Sequence, residues 1–175
     1  ILDETLVYIT ISTGIGGGVI QNGTLVKSYD GFCAHLGHMS VRNTSGTDTK
    51  CHCGRINCAE AIASGTAIAK FAKEILSRDI TCKEVFESHL DNPEIVKLIG
   101  VCTDAITDLI ANIKAITGTD VVVLGGSVGS SPIIQSEVKS KIDRLPNIYS
   151  VKLLPPSCGE NADLIGAYLY SKSCS

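Results

Sequence analysis

Residues 6–26 read LVYITISTGIGGGVIQNGTLV, and the fold of this stretch decides what can be built around it. Residues 6–12 are β-branched, aromatic or aliphatic with few polar positions, the composition of a buried strand. Residues 13–18, TGIGGG, hold too much glycine for a helix interior and read as a turn. Asn22-Gly23 then stands between two apolar runs, the pattern of a tight hairpin. The chain therefore opens as strand, glycine turn and hairpin.

A strand followed by glycines recurs downstream. Residues 120–124, DVVVL, read as a short buried strand, and GGSVG follows at residues 125–129. Between the two strands, Ile62, Ile68, Phe71, Ala72, Ile75 and Leu76 recur at helical spacing. Ser64-Gly65 interrupts them, so the helix is expected to start at Thr66 with Ser64 as its cap. A polar connector leads to a second helix with the stripe Ile95, Ile99, Cys102, Ile106, Leu109, Ile110 and Ile113, ended by Gly118. Residues 31–42 read as a loop leading into a short strand. Residues 133–142 read as a helix, residues 151–154 as a strand, and Asn161 as the cap of a last helix over residues 162–171. Strands alternating with helices behind a hairpin describe an α/β chain with a mixed sheet and flanking helices.

Of the 175 residues, 44% are hydrophobic and 19% charged, enough apolar material for a core. The net charge of -3, with no block of lysine or arginine, gives no sign of a nucleic-acid surface. No apolar run approaches the roughly 20 residues of a membrane span. No basic-then-apolar leader opens the chain, so a cytoplasmic protein is expected. The first residue is Ile1 rather than methionine, and a fragment of a longer protein is expected.

Of the eight cysteines, Cys33, Cys82, Cys102, Cys158 and Cys174 are scattered, and no role is assigned to them. Cys51, Cys53 and Cys58 cluster in CHCGRINCAE, residues 51–60. A bridge between Cys51 and Cys53 would be badly strained. The spacing suits thiolates converging on one ion, and tetrahedral zinc asks for a fourth ligand. His35, His38 and His52 are the candidates. His52 sits between two cysteines and diverges from them. Spacing alone does not separate His38 from His35.

The two glycine segments admit two readings each. Residues 13–18 can let backbone N–H groups approach phosphate oxygens, with the Thr13 hydroxyl adding a donor, or simply turn the chain. No lysine follows, so this is not a Walker A loop, and the spacing is not that of a dinucleotide fingerprint. Gly125-Gly126 can make room for a flat base or connect a strand to a helix.

The combination of FCAHLGHMSV (residues 32–41) with CHCGRINCAEAIASG (residues 51–65) resembles the signature of the ROK family of bacterial sugar kinases and sugar-responsive repressors. STGIGGGVIQNG, VVVLGGSVG and ADLIGAYL are similar to the family's phosphate-side turn, adenosine-side segment and closing helix. The resemblance implies a carboxy-terminal lobe of the actin-like sugar-kinase fold over residues 1–175, with a zinc-binding loop at residues 38–58 and the amino-terminal lobe absent. It implies structural zinc on His38, Cys51, Cys53 and Cys58, and sugar contacts from His38, Glu60 and His35. It places ATP, with Mg²⁺, near Thr13, Gly14, Gly16, Gly125 and Gly126. Two positions depart from the family pattern. Asn57 replaces a glycine, and asparagine is the next best residue for a left-handed turn. His35 replaces a glutamate, which by resemblance is a feature of the family's N-acetylmannosamine kinases. The implied reaction is ATP-dependent phosphorylation of that sugar on its 6-hydroxyl. The alternatives are another sugar kinase of the family, for glucose or fructose, or the effector-binding lobe of a repressor. The family's catalytic Asn-Asp pair and Asp-x-Gly-Gly-Thr loop do not occur in these residues. The chain alone is therefore expected to be inactive, with no catalytic residue of its own, and the full-length protein to be a homodimer.

Overall fold

The computed structural model describes residues 5–30, 32–159 and 162–173. Strand β1 (Leu6–Ile11) lies at the centre of a five-stranded sheet with the order β3-β2-β1-β4-β5. Its partners are β2 (Ile15–Gln21), β3 (Thr24–Leu25), β4 (Val121–Gly125) and β5 (Lys152–Leu154). β1 and β2 are antiparallel, as are β2 and β3, whereas β1, β4 and β5 run parallel. The mixed sheet is the one the sequence pattern predicts. Val7, Ile9 and Ile11 alternate inward and are fully buried, and every second residue between them is half-buried.

The glycine run does not behave as expected. Only residues 12–14 turn, and Gly16, Gly17 and Gly18 belong to β2, paired with Thr10, Ile9 and Tyr8. The reason is packing. A 3₁₀ turn over Leu36–His38 lies against β2. A Cβ on Gly17 would stand 2.6 Å from the Tyr8 carbonyl oxygen and press on Leu36. The Asn22-Gly23 hairpin forms as predicted, with φ of 50° and 73°, both positive as a type I′ turn demands.

Helices α1 (Ala59–Ala63) and α2 (Gly65–Leu76) meet at Ser64, whose backbone closes the first and whose Oγ accepts from the Ala67 N–H at 3.2 Å. The polar connector contains a helix that the apolar pattern did not announce, α3 (Cys82–Ser88). It is held by a capping box. The Thr81 side chain accepts from the Glu84 N–H at 3.2 Å, and Glu84 Oε2 accepts from the Thr81 N–H at 2.8 Å. Helix α4 (Pro93–Thr117) buries its isoleucine stripe and ends at Gly118, φ 67°. Glycines 126 and 129 bound a short helix, α5 (Gly126–Gly129), followed by α6 (Pro132–Ile142) and α7 (Ala162–Ser173). The expected cap Asn161 lies outside the described residues. The short strand expected near residue 41 is reduced to one bridge, between Ser40 and Cys58.

α4 packs against α1, α2 and α6, and its Ile95, Ile99, Ile106, Leu109, Ile110 and Ile113 join Val7, Ile9, Ile11 and Leu124 in one core. Each such side chain contributes about 1.5–3 kcal/mol of burial. Because β1 and β4 are parallel neighbours, their carboxyl ends deliver residues 12–14 and 125–127 to the same edge. In open α/β sheets that edge is where ligands bind. Among the described residues no helix is long and apolar enough to cross a membrane.

Candidate metal and ligand site

Residues 50–56 fold back on themselves. Lys50 bridges Ile56, the Cys51 N–H donates to the Arg55 carbonyl at 2.8 Å, and Gly54 turns at φ 89°. The segment after His38 runs alongside the end of this knuckle. The Val41 N–H donates to the Asn57 carbonyl at 2.9 Å, and the Ala59 N–H to the Met39 carbonyl at 3.0 Å. Arg55 closes the corner, donating to the His38 carbonyl at 3.0 Å and to Ser40 Oγ at 2.9 Å.

These turns bring His38, Cys51, Cys53 and Cys58 together, with one ligand atom from each lying within 4.8 Å of the others. The Cys53 and Cys58 sulfurs are 3.6 Å apart, and Cys51 Sγ is 3.7 Å from His38 Nδ1. A disulfide would need about 2.05 Å. Sulfurs about 2.3 Å from a tetrahedral zinc stand roughly 3.8 Å from one another. The spacing and the donor set therefore fit zinc, and four protein donors would close its shell. Burial pushes the Cys58 thiol up to about 12, helped by Cys53 and Cys51, while the Arg55 backbone N–H holds Cys53 below the usual thiol range. A central cation would reverse the penalty on Cys58. Of the three candidate histidines only His38 lies in the cluster, and His35 and His52 are outside it. His52 instead lines the neighbouring cleft.

Glu60 does more than its place in the first turn of α1 would give it. Its Oε2 accepts from the Ile15 N–H at 3.0 Å, and its Oε1 lies 3.9 Å from His38 Nδ1. A Cβ on Gly14 would approach that carboxylate to 2.7 Å, so a side chain there would press the Glu60 carboxylate aside. No local pattern in the chain marks this pair, 45 residues apart. His35 stacks on Phe32, centroids 4.4 Å apart, and lies parallel to the His38 ring at 6.1 Å. Phe32 is 68% exposed, and no sequence pattern marked it.

Thr13 lines two clefts. One, of about 320 Å³, runs past Gly14 and Glu60 to Cys51 and His52. The other, of about 690 Å³, lies between Gly65-Thr66, the Cys82–Phe86 side of α3, and Ser127-Val128. The start of α2 is bonded to the turn between them. The Gly65 N–H donates to the Ser12 carbonyl at 2.7 Å, and Thr66 Oγ1 to the Thr13 carbonyl at 2.9 Å. Gly125 and Gly126 sit directly before Ser127. A Cβ on Gly125 would stand 2.5 Å from the Tyr8 hydroxyl, and one on Gly126, φ 83°, would collide with the Ile11 backbone. Gly16, Gly125 and Gly126 line neither cleft, and Gly16 and Gly125 are both paired with Thr10 in the sheet. A third, mainly apolar cleft of about 400 Å³ lies among residues 43–49, α2 and α4, away from Thr13.

The N-acetylmannosamine kinase of Vibrio cholerae serotype O1 is 33% identical over 162 residues, 93% of this chain and 55% of that protein. The N-acetylmannosamine kinase of Escherichia coli O6:H1 is 37% identical over 171 residues, 97% of this chain and 57% of that protein. The chain thus spans a little over half the length of the curated relatives it matches. The crystal structure of the ROK hexokinase from Thermus thermophilus superposes with a TM-score of 0.81 at 28% identity, covering 97% of this chain and 59% of that one. The mixed sheet with flanking helices is accordingly that of the actin-like ATPase fold of ROK sugar kinases. The ROK family profile matches residues 3–173, and with architecture and profile agreeing over nearly its whole length, the chain belongs to the ROK family.

Proposed function

We propose that this chain is the sugar- and nucleotide-binding part of a kinase that phosphorylates N-acetylmannosamine with ATP. The observation that carries the proposal is the position of Thr13, on a turn shared by two clefts, one walled by the cysteine loop and the other by α3 and the β4–α5 turn. An acceptor sugar in the first and a nucleotide in the second would meet at that turn. The relatives named N-acetylmannosamine kinase support the choice of sugar.

His38, Cys51, Cys53 and Cys58 would hold zinc, which would supply rigidity to the loop. The Nδ1 of His38 faces the cluster, which leaves Nε2 for a sugar hydroxyl. Glu60, steadied through Oε2 on the Ile15 N–H, can accept from a second hydroxyl through Oε1. His35, backed by Phe32, would meet the N-acetyl group or a hydroxyl. The Thr13 hydroxyl and nearby backbone N–H groups would face the phosphates, with Gly14 on the same turn and Gly125-Gly126 leading into Ser127 at the edge of the larger cleft. Mg²⁺ accompanying ATP would neutralise phosphate charge. The base for the attacking hydroxyl would come from outside these residues. On this reading the chain is one lobe of the kinase and does not phosphorylate sugar by itself.

A thermal-shift panel on the full-length protein tests the proposal. N-acetylmannosamine with a non-hydrolysable ATP analogue should raise the melting temperature. At a hundredfold excess over Kd the stabilisation is about 2.7 kcal/mol. Stabilisation by glucose and none by N-acetylmannosamine would replace it with a glucokinase reading.

A further inference from the structure

Burial holds the segment between His38 and Cys51 at its start, through Met39 and Val41, and not beyond, because residues 44–48 are exposed. Polar side chains hold it from two sides. From within, Asn57 Oδ1 accepts from the Thr49 N–H at 2.9 Å and from Asn43 Nδ2 at 3.2 Å, while Asn57 Nδ2 donates to Asp48 at 2.8 Å. From outside, α4 presents two carboxylates one turn apart. Asp108 Oδ2 accepts from the Arg42 N–H at 2.9 Å, and Asp104 Oδ2 accepts from Thr44 Oγ1 at 2.9 Å.

Asp104 is itself held. Its other oxygen, Oδ1, takes Lys141 Nζ of α6 at 2.5 Å. The same ammonium donates to the Gly100 carbonyl and to Thr103 Oγ1, each at 2.8 Å. All three of its donors are thus engaged, so the carboxylate has one orientation, the one that meets Thr44. The side chains are only 21% and 31% exposed, unlike the freely solvated pairs whose geometry means little. α6 is anchored in turn, since Gln135 Nε2 donates to the Leu124 and Gly129 carbonyls at 2.8 and 2.7 Å. A continuous line of bonds therefore runs from the turn after β4, through α6 and α4, to the metal loop.

We infer that Lys141 and Asp104 are positioning residues for the sugar site, acting through Thr44 to hold the loop that carries the metal ligands. The inference rests on the reading of residues 38–58 as a metal-held sugar loop. Neither residue lines the two clefts read as the sugar and nucleotide sites.

The test uses the full-length protein with Thr44→Val, which keeps the shape and removes the hydroxyl, Thr44→Ser, which restores it, and Lys141→Met. Three quantities are read: amide hydrogen exchange over residues 42–50, zinc release to a chromogenic chelator, and the KM for N-acetylmannosamine beside that for ATP. Thr44→Val and Lys141→Met should speed loop exchange and zinc release about fivefold, the weight of one hydrogen bond. They should raise the sugar KM by a similar factor and leave the ATP KM unchanged, while Thr44→Ser behaves as wild type. Thr44 lies on the exposed loop, so its variants test the idea even if Lys141→Met does not fold. Loop exchange in Thr44→Val equal to wild type overturns the inference. If the wild-type protein held no metal, the metal reading would fall instead, and loop exchange would still decide this one.

Discussion

At the residue scale, the metal loop turns on Asn57. Its φ of 53° lies in the left-handed region, where most side chains cost about 1–2 kcal/mol. Its amide also ties Thr49, Asn43 and Asp48 into the loop. Asn57→Gly removes the bonds and keeps the conformation, whereas Asn57→Ala loses both. Urea denaturation should therefore rank them, with alanine costing about 2–3 kcal/mol and glycine about 1 kcal/mol. Equal losses would mean that the backbone angle contributes nothing. Gly37 gives a second case, since a Cβ there would stand 2.8 Å from the Ile15 Cβ and collide with the Ile15 backbone. Gly37→Ala should push the Leu36–His38 turn off β2 and lower the melting temperature by several degrees in a thermal scan, with His38 misplaced as a consequence. The cysteine cluster was legible because its ligands are close in sequence. The bonds from Glu60 to Ile15 and from Asp104 to Thr44 were not, because nothing local records a partner 45 or 60 residues away.

At the element scale, α3 walls the cleft assigned to the nucleotide, and it has only one buried residue, Val85. Packing cannot define so short a helix alone, and its start depends on the Thr81–Glu84 box. Thr81→Ala should cost about 1 kcal/mol of stability, measured by denaturant midpoint. The Thr81 side-chain and backbone bonds hold the Glu84 carboxyl below its ordinary range. Its contribution is thus complete above the unfolded carboxylate pKa and disappears as the pH falls through the lowered folded value. The gap between wild type and Thr81→Ala should narrow over that acid window, and a gap that widened there would contradict the box. The Thr81-x-x-Glu84 pattern was present in the sequence, but without an apolar stripe behind it the segment read as a connector. α4 was legible for the opposite reason, since its isoleucines repeat at helical spacing across the whole element. The glycines of β2 misled in part because Gly17 is there to admit the turn at Leu36, a tertiary demand that looks like a local one.

At the scale of the whole molecule, the core and the metal loop are separable. Among the described residues, the buried cluster draws mainly on β1, β2, β4, α2, α4 and α6, and meets the loop region at Leu36, Met39, Val41 and α1. Small zinc modules unfold without their ion because they have no other core. This chain has one, so chelation should open the loop and spare the sheet. If residues 38–58 hold zinc as proposed, a strong chelator applied to the full-length protein should abolish amide protection over those residues and leave β1, β4 and α4 protected. The two clefts should then respond differently. Stabilisation by the sugar should vanish, because His38 and Glu60 depend on the loop, while stabilisation by the ATP analogue should persist, because Thr66, α3 and Ser127 depend on the core. Global unfolding on chelation would show that the ion supports the entire fold. Loss of nucleotide binding together with sugar binding, in a protein still folded, would show that the turn at Thr13 is itself held by the metal loop through Glu60.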